Sequence, residues 1–140
     1  MIAGVILAAG DSSRMGFPKQ LAEYKGKTIL ETVVETVTSN LDETVVVLGH
    51  ENDTITEKLD FKESTILINE NWEEGVVSSI RTALFYLSKN NEIDSAMIFM
   101  ADQPSVSNKI IDKLINSKKK EDEVVISKYR YKLNYPIIVP

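Results

Sequence analysis

Two segments of this chain end in groups suited to a polyphosphate. The first is the loop Leu7-Ala-Ala-Gly-Asp-Ser-Ser-Arg-Met-Gly-Phe-Pro-Lys19. Gly10 and Gly16 let its backbone turn tightly and approach a ligand without a Cβ in the way. Successive N–H groups in such a turn form a concave nest for an anion. Arg14 can grip phosphate oxygens in bidentate fashion, and Lys19 supplies a mobile point charge. Pro18 fixes the backbone just before Lys19 and narrows where the amine can reach. The second segment, Met97-Ile-Phe-Met-Ala-Asp-Gln-Pro104, delivers one carboxylate, Asp102, at the end of an apolar run. Mg2+ is typically held by one or two carboxylates together with substrate phosphates, so one aspartate facing a triphosphate fits. Each segment also has a plainer reading. The loop suits a solvated surface turn, and Asp102 suits a turn or helix cap before Pro104.

A third segment, Asn69-Glu-Asn-Trp-Glu-Glu-Gly75-Val-Val-Ser-Ser79, joins a predicted strand to a predicted helix. Gly75 permits close approach, while Asn69, Ser78 and Ser79 carry groups that can bond a base edge or a ribose. Helix capping explains one of those serines equally well. Trp72 suits stacking on a base or partial burial in the core. His50, the only histidine, reads as a loop residue, since a catalytic role needs positioned partners. Two better-known phosphate loops are excluded. A P-loop needs lysine directly after its second glycine, whereas Phe17 and Pro18 separate Gly16 from Lys19. A dinucleotide fingerprint needs G-x-G-x-x-G and an acidic residue ending the second strand, but that strand ends in Gly49-His50.

The elements that must position these groups alternate along the chain. Ala3 to Ala9 is a continuous apolar run, as in a strand covered on both faces. Thr28 and Glu31 form a capping-box pair ahead of Ile29, Leu30, Val33, Val34 and Val37 at helical spacing. Strands are predicted over Thr44–Leu48, Thr65–Ile68, Ala96–Ala101, Glu123–Ser127 and Tyr135–Val139. Helices are predicted over Asp53–Leu59, from Ser78 or Ser79 through Leu87, and after Ser105 or Ser107 with Ile110, Ile111, Leu114 and Ile115 inward. Glu73 and Glu74 read as a solvated face, and Tyr129, Tyr131 and Tyr135 as strand residues. The alternation implies a three-layer α/β/α domain with a mostly parallel, Rossmann-like sheet. Ligands of such sheets bind beyond the carboxyl ends of the strands. Gly10, Gly49, Asn69 and Asp102 are all expected at that edge.

Bulk properties set the outer bounds. With 140 residues the chain is one domain, 1–140, long enough to bury a real core. A net charge of −5 argues against a nucleic-acid partner. The absence of cysteine excludes disulfides, thiolate metal sites and a cysteine nucleophile. The apolar stretch 2–9 lacks a preceding basic segment and is too short to span a bilayer, so a cytoplasmic protein without a membrane partner is expected. The sequence stops at Pro140 directly after an apolar run, and a fragment or a shortened version of a longer fold is the expectation.

Taken together, the three segments resemble the molybdenum-cofactor nucleotidyltransferases, within the class of MobA-like, nucleotide-diphospho-sugar transferase folds. Leu7-Ala-Ala-Gly-x-Ser-x-Arg-Met-Gly-x-Pro-Lys19 is similar to that family's signature loop. Asn69-x-x-Trp-x-x-Gly-x-x-Ser-Ser-Ile-Arg81 and Ala101-Asp-Gln-Pro104 match in the expected order. The resemblance implies nucleotide contacts from Leu7, Ala8, Ala9, Gly10, Arg14, Lys19, Asn69, Gly75 and Ser79. It implies Lys19, Arg14 and Asp102 as catalytic groups, with Asp102 the Mg2+ ligand. In the family, Ala-Ala-Gly accompanies cytidine enzymes and Ala-Gly-Gly guanosine enzymes, so Ala8-Ala9-Gly10 favours CTP. The implied reaction is transfer of CMP from CTP to a phosphate monoester, molybdopterin above all, with release of pyrophosphate. Relatives usually continue for some tens of residues and carry Gly-His-Pro where this chain has Asn134-Tyr135-Pro136. That portion normally helps form the acceptor pocket and a second metal contact, so the domain is expected to lack part of the acceptor site. The alternatives are a sugar-phosphate nucleotidyltransferase, a nucleotide-binding module without turnover, and an oxidoreductase.

Overall fold

The apolar runs pair into one six-stranded sheet. The structure, a computed structural model, describes residues 1–9, 23–24, 26–49, 55–57, 59–101, 107–120, 123–129 and 132–140. In chain order its elements are β1 (Ile2–Ala8), β2 (Glu23–Tyr24), β3 (Lys27–Thr28), α1 (Ile29–Asn40), β4 (Glu43–Leu48), β5 (Thr65–Ile68), a 3-10 turn (Trp72–Glu74), α2 (Val76–Leu87), β6 (Ser95–Met100), α3 (Asn108–Ser117), β7 (Val125–Tyr129) and β8 (Lys132–Val139). The sheet order is β5-β4-β1-β6-β8-β7. The first four of these strands run parallel, with Leu7 opposite Val47 and Met100, and Leu48 opposite Ile68. β8 lies antiparallel to β6, and β7 antiparallel to β8.

The strands are apolar on both faces because both faces are covered. Ile6, Ala8, Val46, Leu48, Met97 and Phe99 face α1 and α3, which contribute Leu30, Val33, Val34, Val37, Ile111 and Leu114. Ala3, Val5, Leu7, Ala9, Val45, Val47, Ala96 and Ile98 face α2, which contributes Ala83 and Leu87. Gly4 permits the close seating of α1, since a Cβ there would stand 2.5 Å from Val37 Cγ1. Among the described residues, no helix is long and apolar enough to cross a membrane.

Helix starts follow local chemistry. Thr28 caps α1: its Oγ1 accepts from the Glu31 N–H at 3.2 Å, and its hydroxyl donates to Glu31 Oε1 at 2.8 Å. Ser107 caps α3, its Oγ accepting from the Ile110 N–H. The start of α2 corrects the sequence reading. The helix begins at Val76 with Gly75 as its N-cap and no side-chain cap bond, so Ser78 and Ser79 sit inside its first turn. Gly75 has φ +97°, a conformation that side-chain-bearing residues rarely adopt. That requirement, rather than crowding, explains the glycine. Of the helix expected over 53–59, residues 55–57 are helical and Leu59 N–H donates to Ile55 O at 3.2 Å; 53, 54 and 58 lie outside the described residues.

Candidate functional site

Four strand ends share one edge of the sheet. The Ala101 N–H donates to the Leu7 carbonyl at 3.1 Å, extending the β1–β6 pairing past Met100. On the other side of β1, Ala8 is opposite Leu48, and the Asn69 N–H donates to the Leu48 carbonyl at 2.7 Å. Neighbouring strands lie about 4.8 Å apart. The exits after Ala9, Gly49, Asn69 and Ala101 therefore stand in a row. After β1 the chain continues toward β4, and after β6 toward β7 and β8, so strand order reverses between β1 and β6. A reversal of that kind is where open α/β sheets bind ligands.

Gly10, Arg14, Lys19 and Asp102 lie outside the described residues, as do His50 and Tyr131. The residues leading into them are fixed. Leu7, Ala8 and Ala9 are all buried, Ala8 toward α1 and Ala9 toward α2. The loop that begins at Gly10 thus leaves from β1, and the segment that begins at Asp102 leaves from the adjoining β6. The opposite edge of the same strand pair is tied by the Met1 amine, which donates to Asp94 Oδ2 at 2.7 Å. That amine holds the Asp94 carboxyl below its ordinary range.

The segment after β5 is built around Asn69. Its side-chain oxygen accepts from the Asn71 N–H at 3.0 Å, and its amide nitrogen donates to Ser78 Oγ at 2.9 Å and Ser79 Oγ at 3.0 Å. All three of Asn69, Ser78 and Ser79 are buried. Gly75 is exposed, and among the described residues nothing lies within 4 Å of where its Cβ would stand. Trp72 is partly buried against the α2-side core, as one of the two sequence readings held. It also rests on Gly49, where a Cβ would stand 2.6 Å from Trp72 Cβ and 3.0 Å from the Asn69 carbonyl. This interlock of the β4 and β5 exits escaped the sequence reading. Gly49 at a strand end beside an aromatic-bearing loop was the available signal. Glu73 and Glu74 are exposed, as expected.

Comparison with known proteins agrees with this arrangement. A model of the MobA-like NTP transferase domain matches residues 4–140. A nicotine blue oxidoreductase of Paenarthrobacter nicotinovorans is 30% identical over 118 residues, covering 83% of this chain and 56% of that protein. A probable molybdenum cofactor guanylyltransferase of Bacillus cereus is 33% identical over 127 residues, covering 89% of this chain and 60% of the relative. The chain therefore spans less than two thirds of the length of these curated relatives. The crystal structure of Rv0371c from Mycobacterium tuberculosis superposes with a TM-score of 0.86 at 24% identity, covering 99% of this chain and 70% of that one. The same protein in complex with manganese gives 0.82 at 22% identity, with the same coverage. The fold is that of the nucleotide-diphospho-sugar transferases.

Proposed function

Because the chain belongs to the MobA-like NTP transferase domain family, we propose that it moves a nucleoside monophosphate from a nucleoside triphosphate to a small phosphate-bearing acceptor. The favoured donor is CTP and the favoured acceptor molybdopterin, with pyrophosphate as the second product. The observation that carries this reading is the bond from the Ala101 N–H to the Leu7 carbonyl at 3.1 Å. It supports a common site for the loop beginning at Gly10 and the carboxylate of Asp102, at the point where strand order reverses.

In this reading no protein nucleophile is needed, because an acceptor phosphate oxygen attacks the α-phosphorus and pyrophosphate leaves. Catalysis then consists of alignment and charge neutralisation. Lys19 stabilises charge at the reacting α-phosphate. Arg14 and the backbone N–H groups of the loop hold the departing pyrophosphate. Leu7, Ala8, Ala9 and Gly10 would contact the nucleotide from the β1 exit, and Gly75 and Ser79, the latter bonded to Asn69, from the segment after β5. Among the described residues no group of three or more carboxylate or imidazole ligands exists. In this reading Asp102, together with substrate phosphates, would hold a cation, an arrangement typical of Mg2+. Such an ion, when bound, neutralises phosphate charge. The manganese complex of the Mycobacterium tuberculosis neighbour supports a divalent cation.

The preference for CTP rests on Ala9. That preference comes from the likeness of Ala8-Ala9-Gly10 to the loop of cytidine enzymes, and Ala9 itself is buried among the residues beneath α2. The Bacillus cereus relative is named a guanylyltransferase, so competition between CTP and GTP is the direct test. Calorimetry with each triphosphate and Mg2+, paired with pyrophosphate release across a panel of acceptor phosphates, tests the whole reading. Tight binding with release supports it. Binding without release across the panel leaves a nucleotide-binding module, and no binding of any triphosphate overturns it. The relative named nicotine blue oxidoreductase carries a second reading, which requires binding of NADH or NADPH in the same titration.

A further inference from the structure

Within the Asn69 cluster, hydrogen-bond polarity is fixed by bookkeeping of protons. The Asn71 N–H donates to the Asn69 side-chain oxygen, Oδ1, at 3.0 Å, which turns the NH2 group toward α2. Both protons of that NH2 are then committed, one to Ser78 Oγ and one to Ser79 Oγ. Each serine acts as an acceptor from Asn69 and must give its own proton elsewhere. Ser78 has carbonyls for that purpose, Gly75 O at 2.7 Å and Asn71 O at 3.1 Å. For the Ser79 proton, no acceptor is found among the described residues, although Ser79 is only 3% exposed. Buried hydroxyls on Thr44, Ser64 and Ser95 also lack partners among the described residues, but these lie at strand starts, whereas Ser79 bonds the residue at the β5 exit, where an unmet donor calls for a reason.

We propose that Asn69 is a positioning residue: its locked amide makes the Ser79 hydroxyl a hydrogen-bond donor reserved for an acceptor atom on the bound nucleotide. This rests on the nucleotide reading given above. Without Asn69, the Ser79 hydroxyl could turn its proton back to the preceding helical turn, as serine does within helices. Held at 3.0 Å from the Asn69 amide, the Ser79 Oγ makes no bond to a carbonyl of the preceding turn among the described residues, unlike Ser78, so its proton is available before the ligand arrives. The cluster sits where such a donor is useful. Asn69 is at the β5 exit, and Ser79 lies one turn before Ala83, which packs in the same cluster as Leu7 and Ala9. Asn69 would thus touch no ligand itself.

The test is a double-mutant cycle read by CTP affinity in the presence of Mg2+, with thermal melts to confirm folding. Ser79→Ala is expected to weaken CTP about 3–10-fold, the range of one neutral hydrogen bond. Asn69→Ala should weaken it by a similar factor. In the double variant the losses should not multiply, because Asn69 acts only through the Ser79 hydroxyl. A merely structural role for Asn69 would instead give losses that multiply, and this outcome overturns the proposal. Should Asn69→Ala fail to fold, Asn69→Asp keeps the acceptor for Asn71 and draws the Ser79 proton inward, with the same non-multiplying loss expected. Ser79→Ala at wild-type affinity overturns the proposal by itself, whatever the Asn69 variants do. If the unmodified chain binds neither CTP nor GTP, the nucleotide reading fails first, an outcome distinct from multiplying losses in a chain that binds.

Discussion

Gly49→Ala perturbs the candidate site without touching a group that would meet substrate. The new Cβ would stand 2.6 Å from Trp72 Cβ, 2.9 Å from Trp72 Cγ and 3.0 Å from the Asn69 carbonyl oxygen. Ordinary contact begins near 3.4 Å, so the nearest pair must part by some 0.8 Å. None of these atoms is the far end of a flexible side chain. Trp72 Cβ is anchored in the 3-10 turn, and the Asn69 backbone is held by its bond to Leu48. The strain must therefore move backbone, at a cost of about 1–3 kcal/mol typical of overpacking. For a chain of this size that lowers Tm by roughly 3–12 °C.

The displaced backbone belongs to the segment carrying Asn69 and Trp72, so CTP affinity should fall along with Tm. Gly26→Ala is the control. Gly26, unlike Gly49, has a positive φ, +84°, nothing described lies within 4 Å of its Cβ position, and it sits in the β2–β3 turn. That variant should lose about 1 kcal/mol from backbone strain and keep its affinity. Differential scanning fluorimetry and calorimetry on the pair decide the matter. A Gly49→Ala chain melting within about 1 °C of the parent, well inside the expected shift, would refute the interlock between the β4 and β5 exits.

Ala9→Gly should shift the preference from CTP toward GTP by about tenfold or more, the scale on which one methyl group discriminates ligands in a packed site. Competition binding measures the ratio, and an unchanged ratio would remove Ala9 as its determinant. Lys19→Ala and Asp102→Asn should each lower pyrophosphate release by about 10²–10³ with little change in Tm; undiminished release from either would unseat that residue. The Asp94 and Glu35 carboxyls are both held below their ordinary range, Asp94 first by its bond to the Met1 amine and Glu35 first by its bond to Lys27. A depressed folded-state value means that each pair adds stability at neutral pH, which disappears as pH falls through the folded-state titration. Carboxyl titration by NMR should place both midpoints below about 3.9 and 4.3, the usual aspartate and glutamate values, and midpoints at or above those values would contradict the pairs. Because both pairs are largely solvent-exposed, the stability involved should be small.

What could be read from the sequence was the edge, and what could not was whatever depends on pairing across it. Apolar runs ending in Gly49, Asn69 and Asp102 name strand exits because local composition decides where a strand stops. The observed parallel register then brings the exits after Ala9, Gly49, Asn69 and Ala101 into one row. Strand direction is a different matter. The run around Ile137 and Ile138 reads as apolar whichever way it lies, and only its pairing with Ala96–Ile98 makes it antiparallel. The two-residue strands around Gly26 are too short to show any periodicity.

The same distinction explains the misjudged start of α2. Serine at a helix start usually caps, so Ser78 and Ser79 were natural choices by local preference. Their hydroxyls instead meet Asn69, nine and ten residues earlier in the chain. That leaves the cap to Gly75, the residue whose positive φ lets the chain turn from the 3-10 helix into α2. A residue type announces which bonds it can make, whereas the partner it finds is decided by tertiary contact. For that reason Ser78 and Ser79, which look interchangeable in sequence, divide once folded: the Ser78 hydroxyl donates to the Gly75 and Asn71 carbonyls, while among the described residues the Ser79 hydroxyl only accepts from Asn69.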